Sequence, residues 1–115
     1  MSTGINIEQR SVVLLPFPFA DLSENKKRPV LIVSNSGFNR KSPDVVCCLI
    51  TSNPNAIGIK ISGNDMESGS LNVESVIKPY RIFTADKSLI YKVIGKLKKE
   101  KSKLVVQEIE NLIKV

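Results

Sequence analysis

Two short stretches of this chain carry side chains suited to holding a phosphodiester. Arg28 follows Lys26 and Lys27 and leads through Pro29 into the apolar run 30–33. Thr51, with Ser52 and Asn53 behind it, closes a second apolar run, 45–50. A guanidinium presents a planar fork of donors that matches two phosphate oxygens, and a hydroxyl supplies a further donor beside it. If the two runs are neighbouring antiparallel strands, the start of one and the end of the other meet at the same sheet rim. Ser52 and Asn53 then either shape the turn or offer hydrogen bonds to a base edge or phosphate. Lys26 and Lys27 either steer phosphate toward the rim or belong to a solvated loop. Each residue also has a plainer reading: an arginine at a strand start is commonly solvated or salt-bridged, and threonine is an ordinary strand former.

Composition narrows the chemistry. The chain contains no histidine, so imidazole acid–base catalysis, a Ser-His-Asp triad and histidine-ligated metals are all excluded. Glu67, Glu74 and Asp86 are too scattered to read as a metal cluster and are assigned to surface or capping roles; no metal and no cofactor is expected. A net charge of +6 favours a polyanionic partner such as nucleic acid. The lysines at 96, 98, 99 and 101 are read instead as a charged helix face. Cys47 and Cys48 are adjacent in a strand, which points them to opposite faces and leaves them as small buried hydrophobes, unbonded, in a reducing compartment. The first residues lack a signal-peptide pattern and no apolar run reaches membrane-spanning length, so a cytoplasmic protein with no membrane association is expected.

The elements that must position the rim follow from periodicity. At 115 residues and 42% hydrophobic composition the chain is read as one domain over 1–115, with a flexible start over 1–9. Strands are predicted over 11–15, ended by Pro16, over 30–33 and over 45–50, the last apolar on both faces and therefore central. Segment 34–44 is rich in turn formers and reads as a loop, as does 62–72. Ile57, Ile59 and Ile61 alternate with polar residues as in a half-buried strand. Residues 73–85 read as a strand interrupted or bulged at Pro79, followed by a turn or short helix at 86–88 and a short strand around Ile94 and Gly95. The period then changes: Val105, Ile109 and Leu112 recur at helical spacing, predicting a helix over 98–113. Many short strands and one terminal helix suggest a small barrel-like sheet, with an open α+β sandwich as the rival.

The stretch 12–19, then 27–34, resembles the MazF/PemK family of toxin endoribonucleases, and Ile50-Thr51-Ser52-Asn53 is similar to that family's second signature. Weaker likenesses run through 75–78, 86–87 and 94–97, so the resemblance covers about 11–113. It implies a mainly β, SH3-like barrel with peripheral helices and a C-terminal α-helix. It implies a homodimeric toxin of a type II toxin–antitoxin system that cuts single-stranded RNA at specific sequences and is blocked by a cognate antitoxin. The family's usual catalytic pair falls on Arg28 and Thr51. The chain departs from the pattern at three places. Arg10-Ser11 stands where many members have Gly-Asp. Lys78-Pro79-Tyr80 stands where some have Arg-x-Asp, which leaves Lys78 to hold phosphate without the carboxylate. Lys98 and Lys99 stand where a Ser or Asp cap is usual.

The mechanism this implies is attack of the ribose 2′-hydroxyl on the adjacent phosphorus. Arg28 stabilises the charge that grows on the non-bridging oxygens, and Thr51 orients the phosphate. Ser52, Asn53, Lys26, Lys27 and Lys78 are assigned to RNA binding, and a carboxylate, a lysine or water serves as base. DNA lacks the attacking hydroxyl, so DNA is not an expected partner. Two alternatives stay open: a non-enzymatic toxin of the same fold that binds gyrase, like CcdB, or an inactive member that only binds antitoxin.

Overall fold

The computed structural model describes residues 6–16 and 26–115. Phe17, Phe19 and residues 20–25 of the polar stretch 20–27, which reads as a loop, lie outside the described residues, and Lys27 already belongs to a strand. Seven strands, β1 (Ser11–Pro16), β2 (Lys27–Ile32), β3 (Asp44–Thr51), β4 (Ile59–Ile61), β5 (Met66–Gly69), β6 (Ser75–Asp86) and β7 (Lys92–Leu97), form one antiparallel sheet in the order β4-β6-β3-β2-β1-β7-β5. Two helices accompany it, α1 (Ser36–Lys41) and α2 (Lys99–Ile113). This is the mainly β fold with a C-terminal helix that the sequence predicts, as a half-barrel with β4 and β5 at its edges.

The sheet has a core on each face, because the middle stretches of its central strands are apolar at successive positions. On one face Ile7, Val13, Leu15, Val30, Ile32, Val45 and Cys47 pack with Phe83 and Ile90. On the other, Val12, Leu31, Cys48, Ile50, Ile77 and Leu97 pack with Val105 of α2, and Ile109 borders them. Cys47 and Cys48 therefore point to opposite faces, both fully buried and unbonded, as their adjacency requires.

Four expectations change. Residues 6–9 are not a loose start: Ile7 is buried in the core, and the Gln9 side chain donates to Val33 O at 2.8 Å. The loop expected over 34–44 holds helix α1, because Asn35 caps it by accepting from Phe38 N at 2.8 Å. The loop expected over 62–72 holds β5, which pairs with β7. The strand expected from Ile57 begins only at Ile59, leaving Ile57 80% exposed.

The interruption expected at Pro79 is present. Cys48 pairs with Ile82 while Leu49 pairs with Lys78, so Pro79, Tyr80 and Arg81 have no partner on β3. Proline cannot donate to the ladder, and the bulge removes the need. Arg10 takes φ 79, a left-handed conformation costing a residue with a Cβ about 1–2 kcal/mol. Its Nη1 donates to Leu97 O at 2.9 Å and to Glu67 at 3.0 Å, contacts that hold the turn. Lys98 stands at the N-cap of α2 and makes no side-chain cap hydrogen bond, as the lysines there foretell.

Candidate functional site

The β2–β3 register is Val30↔Leu49, Leu31↔Cys48 and Ile32↔Cys47. The ladder ends at Val30↔Leu49, and Arg28 and Thr51, each two residues beyond it, are the next residues on that same face at that end of the two strands. Arg28 is also opposite Leu15 on β1, and Thr51 opposite Val76 on β6. Opposed residues share a face, so Arg28 and Thr51 stand together at the rim, above the core of Val30 and Cys47. Both are half-buried.

Their donors are unspent. Among the described residues Arg28 makes no hydrogen bond or ion pair, so its whole fork is open. Thr51 Oγ1 accepts from Asn53 N at 3.2 Å, which leaves its O–H to donate elsewhere. Asn53 Oδ1 accepts from Asn55 N at 3.0 Å, and Asn53 O accepts from Ala56 N at 3.2 Å. Asn53 thus builds the turn while its amide NH₂ stays available. Ser52 is exposed beside it.

The lysines divide. Lys78 pairs with Leu49, which puts it on the face of Arg28 and Thr51, one row inward and half-buried. Lys27 alternates to the other face, and its Nζ lies 4.6 Å from the ring centroid of Tyr91. Lys26 is exposed just ahead of β2. The structure thus brings Arg28, Thr51 and Lys78 to one end of one face, with Ser52 and Asn53 in the turn that follows Thr51, and sets Lys27 on the other face.

Several further polar and aromatic residues stand out in the structure. Arg81 and Tyr80 are displayed by the β6 bulge; a proline inside a strand was the available signal. Tyr91 is 65% exposed beside Lys27, and nothing in the sequence marks it. Lys87, buried, donates from Nζ to Asn39 O at 2.7 Å and holds the end of α1, a structural duty.

Charge is separated along the strands. At the end away from Arg28, Glu8 is paired with Lys96 and Glu67 with Arg10. The Lys96 hydrogen bond lowers the pKa of Glu8, and the Arg10 hydrogen bond lowers that of Glu67. Asp86, also at that end, is lowered chiefly by the backbone N–H of Ser88. Burial pushes both cysteine thiols up to about 12, so they stay protonated and inert. Among the described residues no group of three carboxylates or cysteines converges as metal ligands, and no helix is long and apolar enough to cross a membrane.

An antiparallel half-barrel with a C-terminal helix is shared with several solved proteins. MazF from Deinococcus radiodurans superposes with a TM-score of 0.73 at 18% identity, covering 96% of this chain and 99% of that one. The Mycobacterium tuberculosis toxin MazF-mt6 gives 0.69 at 20% identity over 89% and 94% of the two chains. An endoribonuclease from a mycobacterial species, solved in complex with its cognate antitoxin, gives 0.68 at 18% over 92% and 91%. At such identities the likeness establishes the fold. No curated protein matches the chain. Residues 8–113 match the family described as PemK-like, MazF-like toxin of type II toxin-antitoxin system, and the chain belongs to that family.

Proposed function

We propose that this toxin is a sequence-specific endoribonuclease that cuts single-stranded RNA, with Arg28 and Thr51 as its catalytic pair. The observation that carries the reading is their juxtaposition across β2 and β3 with donors unspent. The scissile phosphate lies between them. The ribose 2′-hydroxyl attacks phosphorus and the bond to the 5′-oxygen breaks, leaving a 2′,3′-cyclic phosphate upstream and a 5′-hydroxyl downstream. Arg28 binds the non-bridging oxygens, where negative charge grows, and Thr51 donates to the same phosphate. Lys78, Ser52, Asn53 and Lys26 hold the flanking strand, and Lys27 contributes long-range attraction.

With no histidine in the chain, the substrate's own hydroxyl is the nearest nucleophile, and the step is proposed to be metal-independent. A role confined to binding gyrase or antitoxin leaves the open arginine–threonine pair unused. The mycobacterial endoribonuclease solved with its cognate antitoxin supports a like partner here, and that partner is proposed to act by covering the rim. The active form is read as a homodimer of one-domain chains, with a dimer mass in light scattering at micromolar concentration as its check.

The test is cleavage of a single-stranded RNA in EDTA, beside the same RNA carrying one 2′-deoxyribose at the cut position. The first is expected to be cut and the second bound but intact. Loss of activity in EDTA that Mg²⁺ restores, cutting of the deoxy substrate, or 5′-phosphate ends would each overturn the mechanism.

A further inference from the structure

We propose that the cleft beside Thr51 is a base subsite that selects guanine next to the cut phosphate, an inference that rests on the endoribonuclease reading. The cleft has a volume of about 330 Å³, and its walls include Pro54, Lys60, Glu74 and Val76. Ile61, Ser62, Asp65 and Ser75 complete it, and it lies at the end of the sheet where β3 ends, one strand away from Thr51. Val76 is the residue paired with Thr51, and Lys60 is paired in turn with Val76, so Thr51, Val76 and Lys60 form one row on one face. Two strand spacings, about 10 Å, separate the ends of that row. Pro54 follows Thr51 by three residues and closes the cleft from the turn side.

The polar groups in the cleft are unequal. Asp65 is already used: Oδ2 accepts from Ser62 N at 2.8 Å, and Oδ1 lies 3.6 Å from Lys101 Nζ. Glu74 and Lys60 make no hydrogen bond or ion pair among the described residues. The cleft therefore offers a carboxylate with two acceptor oxygens, an ammonium with three donors, and the apolar surfaces of Pro54 and Val76 against which a base can lie. Single-stranded RNA is read on exposed Watson–Crick edges. A carboxylate wants two adjacent donors there. Guanine alone has them, N1–H beside the N2 amine, and its O6 lies next to them for the ammonium. Adenine and cytosine each place a ring acceptor beside their amine, and uracil flanks one N–H with two carbonyls.

The test sequences the ends left on a long mixed-sequence RNA, then compares short substrates carrying guanosine or inosine, which lacks the N2 amine, at the enriched position. Guanine is expected within two nucleotides of the cut, and inosine is expected to lower kcat/KM about tenfold, the discrimination of one lost base contact. Glu74→Gln is expected to erase the guanosine–inosine difference, and Lys60→Ala to weaken the preference for guanine. Uniform ends, or full discrimination by Glu74→Gln, would overturn the subsite while the endoribonuclease reading stands. If no RNA is cut, that reading fails, and binding decides the subsite separately: fluorescence anisotropy must show tighter binding of guanosine than inosine oligonucleotides by wild type and not by Glu74→Gln, and equal affinities or no binding would overturn it.

Discussion

Arg28 separates stability from chemistry at the scale of single residues. It makes no polar contact among the described residues, so its removal should change stability by no more than about 0.5 kcal/mol. If it stabilises the transition state, Arg28→Ala lowers the cleavage rate by roughly 10²–10³-fold, the usual cost of one charge-stabilising donor. Arg28→Lys keeps the charge but loses the fork and should not restore the rate. Thr51→Ala removes one hydrogen bond to a charged group, worth about 1.5–3 kcal/mol, and should cost roughly ten- to a hundredfold. Single-turnover rates beside melting curves check all three; an Arg28→Ala protein that cuts at the wild-type rate refutes the site. Their place at one rim follows from the sequence because Arg28 precedes one apolar run and Thr51 closes the other, and the runs form neighbouring strands. Lys27 was read into the same group because it adjoins Arg28, yet strand alternation sends it toward Tyr91. Glu74, read as a surface residue, is exposed just ahead of β6, where it also borders the cleft.

At the scale of elements, long apolar runs announced themselves and short edge pieces did not. β1, β2 and β3 are buried on both faces and read as continuous Val/Ile/Leu segments. β5 is Met66–Gly69, with only Met66 buried, and its pattern is that of a loop. Its place is fixed by tertiary contact. Gly69 pairs with Gly95 of β7 at φ +74, and a Cβ on Gly69 would stand 2.1 Å from Ile94 O and 2.5 Å from Gly95 Cα. The same argument covers α1, whose six residues are too few for a periodic signal and are held by the Asn35 cap and the buried Asn39 side chain, which donates to Ile7 O and Ser34 O at 3.0 Å. Gly69→Ala meets both the left-handed backbone and the neighbouring chain. A loss of about 2 kcal/mol is expected, seen as a fall in Tm of roughly 8 °C or more, with the cleavage rate of the folded protein little changed because β5 lies at the far edge from β3. A Tm within 2 °C of wild type would show that β5 is not bound to β7 in this way.

For the whole molecule, the pH dependence of stability follows from where its titrating groups sit. Glu8, Glu67 and Asp86 have pKa values lowered by Lys96, Arg10 and the Ser88 backbone respectively. A lowered carboxylate favours the folded state above its unfolded pKa, about 4. That contribution is lost as pH falls through the folded values, and because all three groups are exposed the acid limb should be shallow. The alkaline limb has the opposite origin. Cys47 and Cys48 are raised by burial to about 12, against roughly 8.5 in an unfolded chain. Unfolding then releases protons between those values, so the stabilisation is whole below about pH 8 and declines as pH climbs toward 12. Two thiols titrating together steepen the decline to at most about 2.7 kcal/mol per pH unit. Urea midpoints measured from pH 4 to pH 11 should therefore plateau between about pH 5 and 8 and fall faster on the alkaline side, and Cys47→Ala with Cys48→Ala should flatten that side while lowering the plateau. The same burial predicts that a thiol reagent at pH 8 leaves the native protein unlabelled and modifies both cysteines in urea. Rapid labelling of the native protein would mean that the two cores flanking β3 open readily, and the expected alkaline limb would disappear with them.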